Sequence, residues 1–330
     1  MRVRVFVGLV SAVLTPFILV ACRGSDSIAP LPFWSSLPSG TTQALGSVWG
    51  TSDSNVWAVG AFGTILHYEG TSWSSVSSGT LVSLGGVWGA SSSDVWVVGS
   101  GIFHYNGVSW SSVPIPSGAT QNLKGVWGTS ASDVWAVGSA TTGGPILHYN
   151  GGTWSSVSSP VTVDGGTVEL ASVWGTSASN VWAVGGLYHV SWPYAPFVIL
   201  HYDGTSWLSV LSGTNGTFPL FGIWGSSASN IWAVGAGYNT PTLLHYDGTT
   251  WSTASSATEN LIGIWGTSSS DVWSVGNDVG GGTIRHYDGT SWSSVPTGTS
   301  VGLLGVWGTS ASDVWAVGEG GTILHGSPVR

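Results

Sequence analysis

Seven histidines recur at one position of a repeated segment, and histidine is a common zinc ligand. They are His67, His104, His148, His201, His245, His286 and His325. All ligands of a zinc ion must lie about 2 Å from it, whereas each of these histidines belongs to a different copy of the repeat. We therefore predict a structural role for the set and no metal site.

A second recurring position alternates between aspartate and asparagine, just before the second predicted strand of each copy. It is occupied by Asn55, Asp94, Asp133, Asn180, Asn230, Asp271 and Asp313. The two residue types share a side-chain oxygen but not a charge, so the exchange predicts a hydrogen-bond acceptor, as in an Asx-turn. Calcium would require clustered carboxylates, which no copy of the repeat provides.

Catalytic arrangements are scarce in this sequence. No Ser, His and Asp stand apart from the repeat as a separate set, which argues against a hydrolytic triad. Asp164, Glu169 and Glu259 would form a paired-carboxylate site only if the fold brought two of them together. We predict no catalytic residue and no cofactor.

The composition narrows the function classes further. Only 6% of the residues are charged, against roughly 25% in average globular proteins. A hydrophobic content of 42% and an aromatic content of 12% argue against intrinsic disorder. The net charge is −9, with six Lys and Arg against fifteen Asp and Glu. Nucleic-acid binding needs a basic surface, so we exclude it.

The first residues have the pattern of an export signal. Arg2 and Arg4 precede an apolar run over residues 5–21, which Pro16 interrupts. The run is short for a transmembrane helix, and we interpret residues 1–21 as a signal peptide.

The segment Leu19-Val20-Ala21-Cys22 resembles the bacterial lipobox, which implies that Cys22 is lipidated. Residues 22–32 would then be a lipid-anchored tether to the cell envelope, at the outer membrane in a diderm host. Secretion without lipidation is the alternative. Cys22 is the only cysteine, so no intramolecular disulfide can form.

Tryptophan marks the repeat, because three series of seven account for 21 of the 22 tryptophans. The series are Trp49, Trp88, Trp127, Trp174, Trp224, Trp265 and Trp307; Trp57, Trp96, Trp135, Trp182, Trp232, Trp273 and Trp315; and Trp34, Trp73, Trp110, Trp154, Trp207, Trp251 and Trp292. Units of 40–50 residues with four strands are typical of β-propeller blades. We interpret the repeated tryptophans as core residues.

Each unit contains four short β-type runs, which we call strands a to d. In the fifth unit they surround Trp224, Trp232, His245 and Trp251. Between strands c and d, Asp247-Gly248 predicts a two-residue hairpin turn with both residues at positive φ.

Counting the strands predicts how the repeat ends. Strands a, b and c occur seven times from Trp49 onward, but strand d occurs six times. The segment 33–41 matches strand d and should pair with strand c near Ile323-Leu324-His325. We therefore predict an all-β fold: a seven-bladed β-propeller of four-stranded blades over residues 33–326, closed by an N-terminal outer strand. Residues 327–330 would be a C-terminal tail.

The units resemble the β-propeller repeats of the Kelch, tectonin and Asp-box types. Residues 181–185, followed by residues 201–204 and Trp207, are especially similar to tectonin and Kelch repeats. Sialidase-like propellers bind a carboxylate with several arginines, but only Arg285 lies within the repeats. Kelch-type copper oxidases need a cysteine beside Tyr and His, whereas the single cysteine here is Cys22. The resemblance therefore implies a propeller that is not one of these enzymes.

Loop spacing distinguishes two faces of the predicted ring. The second tryptophan lies eight positions after the first in all seven units, and in six units a tryptophan lies six positions after the strand c histidine. The b–c and d–a connections vary, and variable loops on a rigid scaffold tend to carry binding residues. The longest insertion, residues 186–197, is predicted to be a loop. Our candidate ligand-binding residues on this face are Tyr188, His189, Trp192, Tyr194, Tyr238 and Asn239.

Two functions remain open at this stage. The first is a monomeric, non-catalytic envelope lipoprotein that binds protein or peptide partners through the variable loops. The second is a lectin-like propeller, in which the aromatic residues of the insertion stack on sugar rings. An unrecognised glycan-active enzyme is a minor third. The insertion could also bury its own aromatic residues and bind nothing.

Overall fold

The computed structural model describes residues 33–119, 122–140, 145–162, 166–189, 196–212, 218–237, 242–254 and 259–327. The predicted signal peptide, Cys22 and the predicted tether lie outside these ranges. Within them, no helix has the length and apolar character needed to cross a membrane.

The described residues form 28 strands and two short 3₁₀ turns, at Ala61–Gly63 and Glu319–Gly321. In chain order the strands are β1 (Phe33–Ser36), β2 (Leu45–Ser52), β3 (Asn55–Gly60), β4 (Ile65–Tyr68), β5 (Trp73–Val76), β6 (Leu84–Ser91), β7 (Asp94–Gly99), β8 (Ile102–Tyr105), β9 (Trp110–Val113), β10 (Leu123–Ser130), β11 (Asp133–Ala140), β12 (Ile146–Tyr149), β13 (Trp154–Val157), β14 (Gly166–Ser177), β15 (Asn180–His189), β16 (Phe197–Tyr202), β17 (Trp207–Ser212), β18 (Leu220–Ser227), β19 (Asn230–Gly235), β20 (Thr242–Tyr246), β21 (Trp251–Thr253), β22 (Asn260–Ser268), β23 (Asp271–Asp278), β24 (Gly281–Tyr287), β25 (Trp292–Val295), β26 (Leu303–Ser310), β27 (Asp313–Gly318) and β28 (Ile323–Ser327).

The strands pair as antiparallel four-stranded units, which we call blades 1 to 7, as the sequence predicts. Blade 1 has the order β2-β3-β4-β5, and the units beginning with β6, β18 and β22 follow the same pattern. The units beginning with β10 and β14 have the same internal order, but pairing of β11 with β14 joins them into one eight-stranded sheet. Blade 7 has the order β26-β27-β28-β1. Its outermost strand is therefore N-terminal, with Ser35 opposite His325 and Ser36 opposite Leu324, which is the predicted pairing.

The first tryptophan of each blade packs on a glycine of the following blade. A Cβ atom added to Gly89 in blade 2 would lie 2.5 Å from Trp49 of blade 1. The same clash would arise at Gly50 of blade 1, where Trp307 of blade 7 lies 2.8 Å from the added atom. Only glycine leaves room for the indole, which explains why each copy of the repeat contains Trp-Gly.

The second tryptophan of each blade joins its own blade to the next. Trp57 stacks on His67 of blade 1, with 3.9 Å between ring centroids. It also contacts Tyr105 and Trp110 of blade 2, at 5.2 and 5.5 Å. Contact with the same-blade histidine and with the next blade recurs for the tryptophans of the other six blades: Trp96, Trp135, Trp182, Trp232, Trp273 and Trp315. The histidine is stacked in five of them, and at Trp232 the two rings are tilted by 35°. The recurring histidines thus have the structural role that we predicted.

In five of the seven blades the recurring Asp/Asn oxygen bonds to the histidine ring and not to the backbone of an Asx-turn. In blade 6, His286 Nε2 donates to Asp271 Oδ1 at 2.7 Å, and Trp273 Nε1 donates to the same oxygen at 3.0 Å. The corresponding bond is present in blades 2, 3, 4 and 7, at 2.6 to 3.0 Å. The prediction of a shared acceptor oxygen therefore holds, but its partner is a ring on strand c.

The c–d connections differ from the predicted two-residue turns. Four residues, 247–250, connect β20 to β21, and only Gly248 has a positive φ, at 96°. Asp247 Oδ1 accepts hydrogen bonds from the backbone N–H groups of Thr249 and Thr250, each at 2.8 Å. The aspartate thus closes the turn through its side chain and needs no positive φ at its own position, only at Gly248.

Removal of the tryptophan on the N-terminal strand should destabilise the whole fold. Trp34 is 7% exposed and meets Trp273 edge-on, with 5.8 Å between ring centroids. Loss of such a side chain costs about 3–5 kcal/mol. We expect Trp34→Ala to lower the free energy of unfolding by that amount in urea titrations followed by circular dichroism. Val108→Ala, at an exposed turn position, is the matched control. Equal midpoints for the two variants would contradict the prediction.

The Asp/Asn exchange should control stability at mildly acidic pH. In blade 5, neither Asn230 Oδ1 nor His245 Nε2 has a hydrogen-bond partner among the described residues, although both atoms are buried. Burial lowers the pKa of His245 from its ordinary value, although the charge of Asp247 partly opposes this. Protonation of His245 therefore opposes folding as the pH falls below about 6.5.

We expect Asn230→Asp to raise the pKa of His245 by supplying a charged partner. The loss of unfolding free energy between about pH 7.5 and 5.5 should then shrink by about 1 kcal/mol. The converse variant, Asp271→Asn, should steepen this loss. Denaturant titrations at the two pH values test both variants, and parallel pH profiles for the two would refute the idea.

Candidate functional site

The two ends of the blades carry different connections. Because consecutive strands are antiparallel, the a–b and c–d connections lie at one end and the b–c and d–a connections at the other. Every a–b connection has two residues and every c–d connection within the chain has four; we call this end the constant face. The b–c connections range from two residues between β7 and β8 to seven between β15 and β16. That end is the variable face.

A long hairpin of blade 4 extends the variable face. Strands β14 and β15 have twelve and ten residues, against eight and six for β2 and β3. Gly166 pairs with His189, and Glu169 pairs with Gly186. The insertion predicted as a loop over residues 186–197 is therefore strand up to His189. The sequence did not predict this longer hairpin, because residues 186–189 pair with residues 166–169. Residues 166–169 belong to the preceding d–a connection of the repeat, where no strand was expected.

Only part of the predicted site can be placed. Tyr188 lies on β15 and is 36% exposed. Burial and, to a lesser degree, the charge of Glu169 raise its pKa to about 12. His189 is the last residue of β15. The other candidates, Trp192, Tyr194, Tyr238 and Asn239, lie outside the described residues, as does Asp164.

Glu169 is held at the junction of blades 3 and 4. Its backbone lies opposite Ser139 of β11, and its Oε2 accepts a hydrogen bond from Ser139 Oγ at 2.8 Å. Glu259, the other described carboxylate of the proposed pair, instead binds Arg285, with both oxygens 2.9 Å from Nη1. These two carboxylates therefore have separate partners. Among the described residues, no group of three His, Cys, Asp or Glu could hold a metal ion.

The first strands of all seven blades line one cavity of about 330 Å³. Each strand contributes the residues that directly follow a buried leucine. These are residues 46–48 after Leu45 in blade 1 and residues 304–306 after Leu303 in blade 7. Lys124 of blade 3 is among the lining residues, and so is Glu169. We call this space the central cavity.

A second feature of the variable face is the turn at Phe62 in blade 1. Phe62 is 67% exposed and is the only non-glycine residue with positive φ among those described, at φ 53° and ψ 37°. The turn at Glu319–Gly321 in blade 7 has the same hydrogen bonds, and Gly320 takes the left-handed position there, at φ 63°. Phenylalanine thus stands where the equivalent turn has glycine.

Phe62 borders a cleft between connections of the variable face. The cleft has a volume of about 710 Å³ and is lined by residues 40–41, 62–66 and 75–81. Leu81, at its edge, is 82% exposed. No lining residue is charged. Sequence reasoning did not single out Phe62 or Leu81, although alignment of Phe62 with Gly320 would have shown the anomaly.

Comparisons with known proteins establish the fold. The chain matches no protein-family model, and no curated protein is significantly similar to it in sequence. The structure of YCF48 bound to D1 peptide has a TM-score of 0.67 and 16% identity, covering 91% of this chain and 99% of that one. A catalytically inactive virginiamycin B lyase from Staphylococcus aureus with quinupristin has a TM-score of 0.71 and 12% identity, covering 90% and 99%.

The WD40 β-propeller domain of Doa1 is also similar, with a TM-score of 0.65 and 12% identity, covering 92% of this chain and 98% of that one. The three proteins differ in what they do, and a shared fold does not carry a function with it. Together with the repeated four-stranded blades, these similarities show that the chain has the β-propeller fold.

Proposed function

We propose that this chain is a non-catalytic β-propeller that binds peptide segments of protein partners through its variable face. The observation that carries the proposal is Phe62. A left-handed backbone costs a non-glycine residue about 1–2 kcal/mol, and strain of this kind is concentrated at functional sites. The strained side chain is exposed, so it contributes little packing in return.

The cleft beside Phe62 suits an uncharged, apolar stretch of peptide. Its lining combines the exposed Phe62 and Leu81 with serine, threonine and glycine residues. Exposed aromatic side chains in a cleft are typical anchors of protein interfaces. The D1 peptide bound to YCF48 supports peptide binding as a use of this fold.

We also infer that the seven blades form a closed ring, which would make the variable face one continuous surface. Supporting this, Trp315 of blade 7 contacts Tyr68 and Trp73 of blade 1, at 4.8 and 5.4 Å. Trp34 likewise connects the N-terminal strand to Trp273 of blade 6. A closed ring has no free sheet edge at its ends, in keeping with a monomer.

The anchoring proposal follows from the direction of β1. Phe33, where β1 begins, pairs with Ser327 at the end of β28. This end of β28 corresponds to the c–d connections, so the chain enters the propeller at the constant face. If Cys22 carries a lipid in the cell envelope, its tether would therefore join the propeller at the constant face. Release of a Cys22→Ser variant into the soluble fraction would support lipidation, and unchanged membrane retention would count against it.

Tyr188 favours a second candidate, carbohydrate binding. An aromatic ring that is 36% exposed stands near the carboxylate of Glu169, and rings with polar neighbours suit sugars. A glycan array distinguishes the two candidates. Glycan binding that Tyr188→Ala abolishes and Phe62→Gly leaves unchanged would favour a lectin over the peptide proposal.

Replacement of Phe62 by glycine should separate binding from stability. Relief of the left-handed strain favours Phe62→Gly, whereas glycine's greater freedom in the unfolded state opposes it by about 0.5–1 kcal/mol. We therefore expect unchanged stability or a gain of up to about 1.5 kcal/mol. On an array of random 15-residue peptides, we expect selected peptides to be rich in apolar residues and to bind Phe62→Gly at least tenfold more weakly.

Two control variants make this test specific. Phe62→Ala keeps the strain, so it should lose binding without gaining stability. Val108→Ala removes exposed apolar surface from a c–d turn and should bind as the unmodified chain does. Peptide binding that survives Phe62→Gly, or failure of every peptide to bind, would overturn the proposal.

A further inference from the structure

One position of the first strand faces the central cavity in every blade. The pairing of β2 with β3 passes from Leu45 opposite Gly60 to Ser47 opposite Val59, so Gly46 is an unpaired bulge residue. The same register shift occurs in the other six blades, and all seven bulge residues line the central cavity. In blade order they are Gly46, Gly85, Lys124, Ala171, Phe221, Ile262 and Leu304.

These seven residues divide the cavity into two unlike halves. Blades 5, 6 and 7 contribute large apolar side chains, from Phe221, Ile262 and Leu304. Blades 1, 2 and 4 contribute glycine or alanine, which leaves space open. None of the three large side chains belongs to a core cluster of the blades, although each is only partly exposed. An apolar wall therefore borders the cavity along three consecutive blades.

Lys124 is the charged member of the set and the only lysine in the chain. Within the described residues, no carboxylate forms an ion pair with it. Arg285, by contrast, is neutralised by Glu259 at 2.9 Å. A partly buried cation in a narrow cavity attracts an anion more strongly than it would at an open surface.

Glu169 sets the charge that a ligand can carry. It also lines the cavity, and its carboxylate is held by Ser139. Because Glu169 already places one negative charge in the lining, a ligand with one carboxylate is repelled less than a ligand with two. The volume of about 330 Å³ is at the small end of ligand pockets, which span about 300–1,000 Å³.

We propose that the central cavity binds an apolar monocarboxylate. Lys124 pairs with the carboxylate, and the apolar group of the ligand packs against Phe221, Ile262 and Leu304. A small carboxylic acid and the C-terminal residue of a peptide share this chemistry. The site is separate from the cleft at Phe62, so the two proposals stand or fall independently.

Calorimetric titration with matched probes tests the site. The small-molecule probes are 4-methylpentanoate and its neutral amide, and the peptide probes are a pentapeptide ending in leucine and the same peptide with a C-terminal amide. We expect at least one acid to bind the full chain, with its amide at least tenfold weaker. Binding of 4-methylpentanoate alone would identify a small acid as the ligand, and binding of the peptide acid alone a chain terminus.

Variants test the assigned residues. Lys124→Gln should weaken acid binding at least tenfold and remove the preference for acid over amide. The fold should tolerate the change, because the equivalent position holds six different residue types in the seven blades. Phe221→Ala should weaken the acid and the amide alike. Glu319→Gln, which removes an exposed charge of the variable face outside the cavity, is the control and should change nothing.

Three results would overturn the proposal. They are equal binding of acid and amide, unchanged acid binding by Lys124→Gln, and failure of both acids to bind. Phe62→Gly should bind the acids as the unmodified chain does, so loss of peptide binding at Phe62 would leave this test unaffected.

Discussion

The contact on which this fold depends is that between the second tryptophan of one blade and the aromatic residues of the next. Trp135 is 2% exposed; it stacks on His148 of its own blade and meets Tyr202 and Trp207 of blade 4. Aromatic pairs of this kind add about 0.5–1.5 kcal/mol beyond the area they bury. Each blade therefore completes the core of its neighbour, and no blade has a complete core by itself. This explains how a chain with 6% charged residues can specify one arrangement without networks of ion pairs.

The same contact accounts for the difference between the two faces. The histidine under each tryptophan is on strand c, and in five blades it is bonded to the Asp/Asn that begins strand b. A longer a–b connection would move that oxygen, and a longer c–d turn would move the tyrosine and tryptophan that contact the indole of the preceding blade. The b–c and d–a connections bear no such residue. Their lengths can therefore differ between blades, and the extended hairpin of β14 and β15 is the largest such difference.

The sequence predicted the architecture well because the architecture is repeated seven times. The core role of the three tryptophan series, the strand order and the pairing of residues 33–36 with β28 all followed from matching copies. Single turns were predicted less well. Asp247-Gly248 has the composition of a two-residue turn, but the aspartate side chain bonds to Thr249 and Thr250 and makes a four-residue one. Comparison of the copies cannot show whether such a turn has two residues or four, because the same residue types suit both.

The candidate sites could not be predicted from the repeat, because each of them occurs in a single blade. Phe62 and Lys124 have ordinary residue types, and their meaning lies in the positions that they share with other blades. Where the turn of blade 7 has Gly320, blade 1 has a strained phenylalanine; where blades 1 and 2 have glycine in the central cavity, blade 3 has lysine. Neither residue improves the packing of the repeat. In a protein whose repeated residues serve the core, the positions that depart from the repeat, through backbone strain at Phe62 or through a charge in the cavity lining at Lys124, are the ones to search for function.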